Sequence, residues 1–286
     1  MQRNLGQRTV SAIGLGGMPM SIEGRPDEKR SVATIHAALD AGVTLIDTAD
    51  AYHLHAGEVG HNEELIARAL RSYGGDTSEV LVATKGGHLR PGDGRWTLDG
   101  RPEHLKEAAK ASAQRLGVES IGLYQFHRPD PAVPYAESVG ALRDLLDEGV
   151  IQLAGISNAS VEQIDLAMEV LNGELVSVQN QFSPAHRSSL PELKHCAKLG
   201  IAFLPWSPLG GIRNAAALGD RHGAFAKLAA THGVSPQQIT LAWELRLAPV
   251  VIPIPGASRP ESIQDSARAV DLVLTADEMD LLSQVD

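Results

Sequence analysis

Three stretches of this 286-residue chain bring ionisable side chains close behind short apolar runs. Residues 43–46 lead into Asp47-Thr48-Ala49-Asp50-Ala51-Tyr52, residues 80–83 into Thr84-Lys85, and residues 121–125 into His127-Arg128-Pro129-Asp130. Taken singly, each has an ordinary explanation: an Asp after a strand caps a helix or forms a turn, and a loop Tyr packs. Taken together they suit the reduction of a carbonyl. Adding hydride to a carbonyl carbon creates an alkoxide, which requires a general acid. The Tyr52 phenol can be that acid, but its reference pKa of about 10 is high for neutral solution, and a neighbouring ammonium lowers it. Lys85 takes that role, Asp47 holds Lys85 charged and in place, and His127 polarises the carbonyl oxygen. Asp47 and Asp50 also offer the carboxylate pair that glycoside hydrolysis needs, but that reading leaves Lys85 unexplained.

The elements that must position these residues alternate along the chain. Apolar runs rich in Val, Ile and Leu predict strands over 11–15, 43–46, 80–83, 121–125, 151–155, 175–178, 201–204 and 250–252. Helical periodicity falls between them, over 31–41, 63–72, 102–116, 135–148, 161–171, 191–199 and 237–247. Gly42, Gly117, Gly149 and Gly200 stand where helices should stop, and Ser160 with Gln163 reads as a capping box. Pro102 suits the first turn of its helix. Alternating strands and helices imply parallel pairing through right-handed crossovers. An open dinucleotide-binding sheet should carry GxGxxG after its first strand, and Gly14-Leu15-Gly16-Gly17 breaks that spacing. The expected fold is therefore α/β, a (β/α)8 TIM barrel, with residues 1–286 as one domain. Its chemistry belongs at the C-terminal ends of the strands.

Composition narrows the function further. A net charge of −10 argues against a nucleic-acid footprint. No run approaches the roughly 18 to 20 apolar residues that span a membrane, and residues 2–8 after Met1 are polar rather than signal-like. Cys196 is the single cysteine, so no intrachain disulfide forms and a reducing compartment fits. A cytoplasmic protein is the expectation. His53, His55, Glu58 and His61 cluster behind Tyr52, but without the cysteines or ordered carboxylates of a metal site they read as a polar loop wall, and no metal is expected. Residues 86–100 form a long Gly-rich segment carrying His88, Arg90, Arg95 and Trp96, read as an unstructured substrate-side loop.

From near the start almost to the C-terminus, the chain closely resembles the aldo-keto reductase superfamily in the order and spacing of its segments. The matching segments are Ile46-Asp-Thr-Ala-Asp-Ala-Tyr52, Val82-Ala-Thr-Lys85, Leu123-Tyr-Gln-Phe-His127-Arg-Pro-Asp130, Gly155-Ile-Ser-Asn158, Val178-Gln-Asn180, Pro205-Trp-Ser-Pro-Leu-Gly-Gly211 and Ile254-Pro-Gly-Ala-Ser258. The resemblance implies an oxidoreductase with the tetrad Asp47, Tyr52, Lys85 and His127 and with NADPH/NADP+ extended across the barrel mouth. By resemblance, Ser157, Asn158 and Gln179 hydrogen-bond the nicotinamide carboxamide and Trp206 stacks on its ring, with Asp47 close by. Ser207, Pro208, Leu209 and Gly210 line the pyrophosphate path, where backbone N–H groups can approach anions. Ile254, Gly256 and Ser258 flank the start of the last helix. Arg259 there can pair with an adenosine 2′-phosphate, favouring NADPH over NADH. Several members carry a basic residue and an Asn where Ser262 and Ser266 stand.

The partner this implies is a small-molecule carbonyl compound. Residues 179–187 and 203–211 look like bacterial pyridoxal-reductase-type members, so pyridoxal stands beside aldehydes and α-dicarbonyls as a candidate. Some relatives keep the cofactor site while serving as channel subunits, so a cofactor-binding regulatory subunit is the alternative function. The sequence leaves the oligomeric state open.

Overall fold

The computed structural model describes residues 1–212 and 214–284; residues 285 and 286 of the expected domain lie outside the described residues. Period-2 alternation builds the barrel interior. Strand β4 (Leu45–Asp47) sends Leu45 and Asp47 inward, and β5 (Leu81–Gly86) sends Leu81, Ala83 and Lys85 the same way. Before them come β1 (Gln2–Leu5), β2 (Arg8–Ser11) and the first barrel strand β3 (Leu15–Gly16). After them come β6 (His88–Leu89), β7 (Thr97–Leu98), β8 (Leu123–Phe126), β9 (Ala154–Ser157), β10 (Leu175–Gln179) and β11 (Ala202–Phe203). Seven strands form a curled parallel sheet in the order β11-β10-β9-β8-β5-β4-β3.

Residues 250–256 close that sheet into a (β/α)8 barrel. Ile252 N donates to Phe203 O at 2.9 Å and Ile254 N to Pro205 O at 3.2 Å. On the other side Gly14 N and Gly16 N donate to Pro253 O and Pro255 O, each at 2.9 Å. Pro253 and Pro255 have no N–H to return, so this eighth strand keeps only half a ladder toward β3.

Helices α1 (Glu28–Asp40), α2 (His61–Ser72), α3 (Pro102–Leu116), α4 (Tyr135–Asp147), α5 (Val161–Val170) and α6 (Leu190–Leu199) fill the crossovers. The expected stops hold: Gly42, Gly117, Gly149 and Gly200 all take positive φ, which a helix C-terminus favours in Gly. Ser160 and Gln163 form the capping box, and Pro102 opens α3.

The structure corrects three expectations. Residues 11–15 are not one strand, because Ser11 ends a β1–β2 hairpin and the barrel strand begins at Leu15. Leu5 and Val10 of that hairpin pack beneath Leu45, Leu81, Leu123 and Ile252, closing the barrel floor. Ser11 and Thr44 exchange bonds from backbone N to side-chain oxygen at 2.8 and 2.9 Å, which anchors the hairpin to the barrel. Residues 86–100 are not unstructured, since β6 and β7 pair antiparallel within them. The helix opened by Arg259 is not the last: α7 (Leu218–Arg221), α8 (Gly223–His232) and α9 (Pro236–Leu247) precede α10 (Pro260–Ala267), and α11 (Ala276–Ser283) follows it.

Candidate active site

The inward faces of β4, β5, β8 and β10 change from Leu and Ala at the floor to polar side chains at the mouth. Lys85 has no exposed surface, and its ammonium donates to Asp47 Oδ1 at 2.6 Å, to Thr48 O at 2.8 Å and to the Tyr52 hydroxyl at 3.2 Å. The other Asp47 oxygen, Oδ2, accepts from Gln179 Nε2 at 2.8 Å and from Gln125 Nε2 at 3.4 Å. Two amides thus hold one edge of the carboxylate while the other faces the ammonium. A buried lysine is tolerated when its charge is paired and hydrogen-bonded.

Burial alone would push the Lys85 ammonium down, but the Asp47 carboxylate and Tyr52 outweigh it and Lys85 is raised, so it stays charged. The phenol departs from the sequence expectation. Burial pushes Tyr52 up more than the Lys85 charge pulls it down, so its net pKa is raised rather than lowered. Lys85 restrains that rise without reversing it.

His127 lies beside the phenol, with ring centroids 5.8 Å apart and the planes nearly perpendicular. Burial, then the charge of Lys85 and the neighbouring His88 and Arg128, hold its imidazole well below its ordinary range. It is therefore neutral near pH 7, a hydrogen-bonding group rather than an acid. Its Nδ1 is buried with no partner.

These groups meet in a cleft of about 510 Å³ at the barrel mouth. Asp47, Tyr52, His127, Ser157, Asn158, Gln179, Trp206, Ser207, Pro208, Leu209, Ile254 and Gly256 line it, with Lys85 directly behind Tyr52. Of the remaining sequence-predicted residues, Gly210 is next to this lining, while Ser258 and Arg259 sit beyond it where α10 begins. Arg259 is exposed and its Nε donates to Ser262 Oγ at 2.8 Å.

A nicotinamide dinucleotide fits this lining. Ser207, Gly210 and Gly211 all have positive φ, so the backbone after β11 turns sharply along the cleft beside the Trp206 indole. Asn158 also has positive φ, an uncommon conformation for a residue with a side chain. Its Nδ2 donates to His127 O and Ser157 Oγ, each at 3.0 Å, and its Oδ1 accepts from Arg128 at 3.1 Å and Trp206 at 3.3 Å. Gln179 spends its amide N–H on Asp47 and keeps its carbonyl oxygen for another donor.

Sequence reasoning missed part of the wall. Met18, Pro19, Ile22 and Glu23 reach the cleft from the segment between β3 and α1, and Ile212 and Ala215 from the stretch after β11. His88 and Trp96, which the sequence does point to as part of a substrate-side segment, line the cleft from the β6–β7 hairpin, their rings 4.7 Å apart, and Arg90 lies over the Trp96 ring at 4.7 Å. The histidines behind Tyr52 have structural partners: His53 Nδ1 meets His55 O at 2.7 Å, His61 Nδ1 meets Ser21 Oγ at 2.8 Å, and Glu58 pairs with Arg25 at 2.9 Å.

Residues 12–286 match the aldo/keto reductase family, and the chain belongs to it. An uncharacterised oxidoreductase of Schizosaccharomyces pombe is 33% identical over 284 residues, spanning 96% of this chain and 86% of that protein. A glycerol dehydrogenase of Gluconobacter oxydans superposes with TM-score 0.82 at 28% identity, covering 99% of this chain and 94% of its own. An aldo/keto reductase of Klebsiella pneumoniae, solved with NADP and acetate, also gives TM-score 0.82, at 26% identity and the same coverage, 99% and 94%. The chain is thus an oxidoreductase whose cofactor class is NAD(P)H. Among the described residues no helix is long and apolar enough to cross a membrane.

Proposed function

We propose that this chain, acting as a single barrel domain, reduces aldehyde or ketone groups of small molecules to alcohols with NADPH. The observation that carries the reading is the Lys85 ammonium in contact with both the Asp47 carboxylate and the Tyr52 hydroxyl. When bound, the reduced nicotinamide supplies the hydride to the carbonyl carbon.

Tyr52 O–H donates its proton to the carbonyl oxygen as that oxygen gains charge. Its raised pKa keeps the phenol protonated at neutral pH, so the proton is available. Lys85 stabilises the phenolate left behind, and Asp47 holds Lys85 charged. The neutral His127 imidazole directs an N–H at the same oxygen, which orients the carbonyl and stabilises the developing charge. Trp206, Ser157, Asn158 and Gln179 would hold the nicotinamide end, residues 207–210 with Ile254 and Gly256 the pyrophosphate region, and Ser258 and Arg259 the 2′-phosphate.

The test is a panel of aldehydes, ketones, α-dicarbonyls and pyridoxal with NADPH and NADH, run on wild type and Tyr52→Phe. Wild type should oxidise NADPH in the presence of aldehydes. The variant should lose about 10²- to 10⁴-fold in turnover while binding NADPH as before. Wild-type rates in the variant would remove Tyr52 as the acid, and no NADPH oxidation with any carbonyl would overturn the reductase reading.

A further inference from the structure

The charged side chains lining the cleft are unequally neutralised. Asp47 is paired with Lys85, and Glu23 with the buried Arg90, whose Nη1 also donates to His53 O at 2.5 Å. Arg128 also lines the cleft, next in sequence to His127, and has no carboxylate partner among the described residues. Its Nη2 donates only to the neutral amide oxygen of Asn158, at 3.1 Å. Arg128 is half-buried, and its charge reaches both neighbouring imidazoles. Burial and then Arg128 bring His88 down to about 4, and Arg128 contributes to the same lowering at His127. Both rings are neutral at pH 7, so one uncompensated positive charge stands beside the reacting position, in a chain whose net charge is −10. Overall charge therefore does not explain it.

We propose that Arg128 determines the specificity of this cleft and that the substrate is a carbonyl compound carrying one carboxylate, a keto acid or an acid aldehyde. The inference rests on the reductase reading for the carbonyl, but not for the anion. A guanidinium with a free edge matches a carboxylate in shape, and a partly desolvated charge-assisted pair holds it more firmly than a neutral amide would. A phosphate monoester carries nearly two charges and would leave one unmatched by a single cation. Met18, Pro19, Ile22, His88 and Trp96, which also line the cleft, bring no further cation among the described residues and suit the uncharged part of the molecule.

The test reads binding and turnover separately. Quenching of bound-NADPH fluorescence would be titrated with 4-(hydroxymethyl)benzoate, its neutral isostere 4-(hydroxymethyl)benzamide, and the corresponding phosphate ester. Wild type, Arg128→Gln and Arg128→Lys would be compared. Wild type should prefer the carboxylate over the amide by about tenfold or more, with the preference shrinking as salt rises. Arg128→Gln, which can still donate to Asn158, should lose the preference, and Arg128→Lys should restore part of it. Equal binding of carboxylate and amide by wild type, or an unchanged preference in Arg128→Gln, would overturn the proposal. So would tighter binding of the phosphate ester than the carboxylate, or a loss in Arg128→Gln confined to NADPH itself. Turnover of 4-carboxybenzaldehyde against its amide is measured alongside. Carboxylate preference with no NADPH oxidation by any carbonyl compound would overturn the reductase reading and leave only the anion site at Arg128 standing.

Discussion

Burial and a neighbouring ammonium act on the Tyr52 phenol in opposite directions, and burial prevails. The Lys85 charge matters once the proton has left, because only then is there a phenolate to stabilise. Replacing Lys85 by Met leaves burial unopposed, so the phenol rises further. Turnover should fall by about 10²-fold or more, and the alkaline limb of kcat/KM should move to higher pH. A slowed enzyme whose limb stays in place would mean that Lys85 does not act through the phenol. Arg259 is tested by the cofactor it would distinguish. Arg259→Ala should weaken NADPH by about tenfold and NADH little, read from the two dissociation constants. Equal losses would show that it does not meet a 2′-phosphate.

At the scale of elements, the end of β5 is packed too closely for any side chain after Lys85. A Cβ on Gly86 would stand 2.0 Å from the Tyr124 hydroxyl, which is fully buried and donates to Leu105 O at 3.2 Å. Gly86→Ala must displace either Tyr124 or the strand end that carries Lys85. It should cost about 1–3 kcal/mol of stability in a denaturant titration and lower turnover with it. Full activity at wild-type stability would show that Tyr124 can move freely. The β6–β7 hairpin lies at the limit of what local sequence reveals. Two pairs of residues make its ladder, His88 with Leu98 and Leu89 with Thr97, too few for periodicity to register. Arg90 then fixes its position by reaching Glu23 and His53, far away in sequence.

Across the whole molecule, the helix layer around the barrel buries a carboxylate. Glu244 lies in α9 with no exposed surface, and neither carboxylate oxygen has a partner. Burial raises its pKa well above the ordinary carboxylate range. The folded state therefore holds this proton more tightly than the unfolded one. Its contribution to stability is fully present below the unfolded pKa and is lost as pH rises through the folded one. Near neutrality the group weakens the fold. Glu244→Leu should raise Tm at pH 7 by about 2–4 °C, with the gain shrinking toward pH 4. A gain independent of pH would assign the effect to packing instead.

The alternation of strands and helices, the helix stops, and the strand ends carrying Asp47, Tyr52, Lys85 and His127 are legible from local sequence alone. Those features depend on periods of two and 3.6 and on local backbone chemistry, all written within a few neighbouring residues. Tertiary structure decided the rest. The hairpin under the barrel and the half-ladder through Pro253 and Pro255 arise only once the sheet curls and needs a floor and an eighth strand. The direction of the Tyr52 shift followed from how deeply the phenol is buried, which no spacing reports. The unpaired Arg128 emerged the same way: whether a charge is compensated depends on which side chains reach it through space, and Glu23 reaches Arg90 instead.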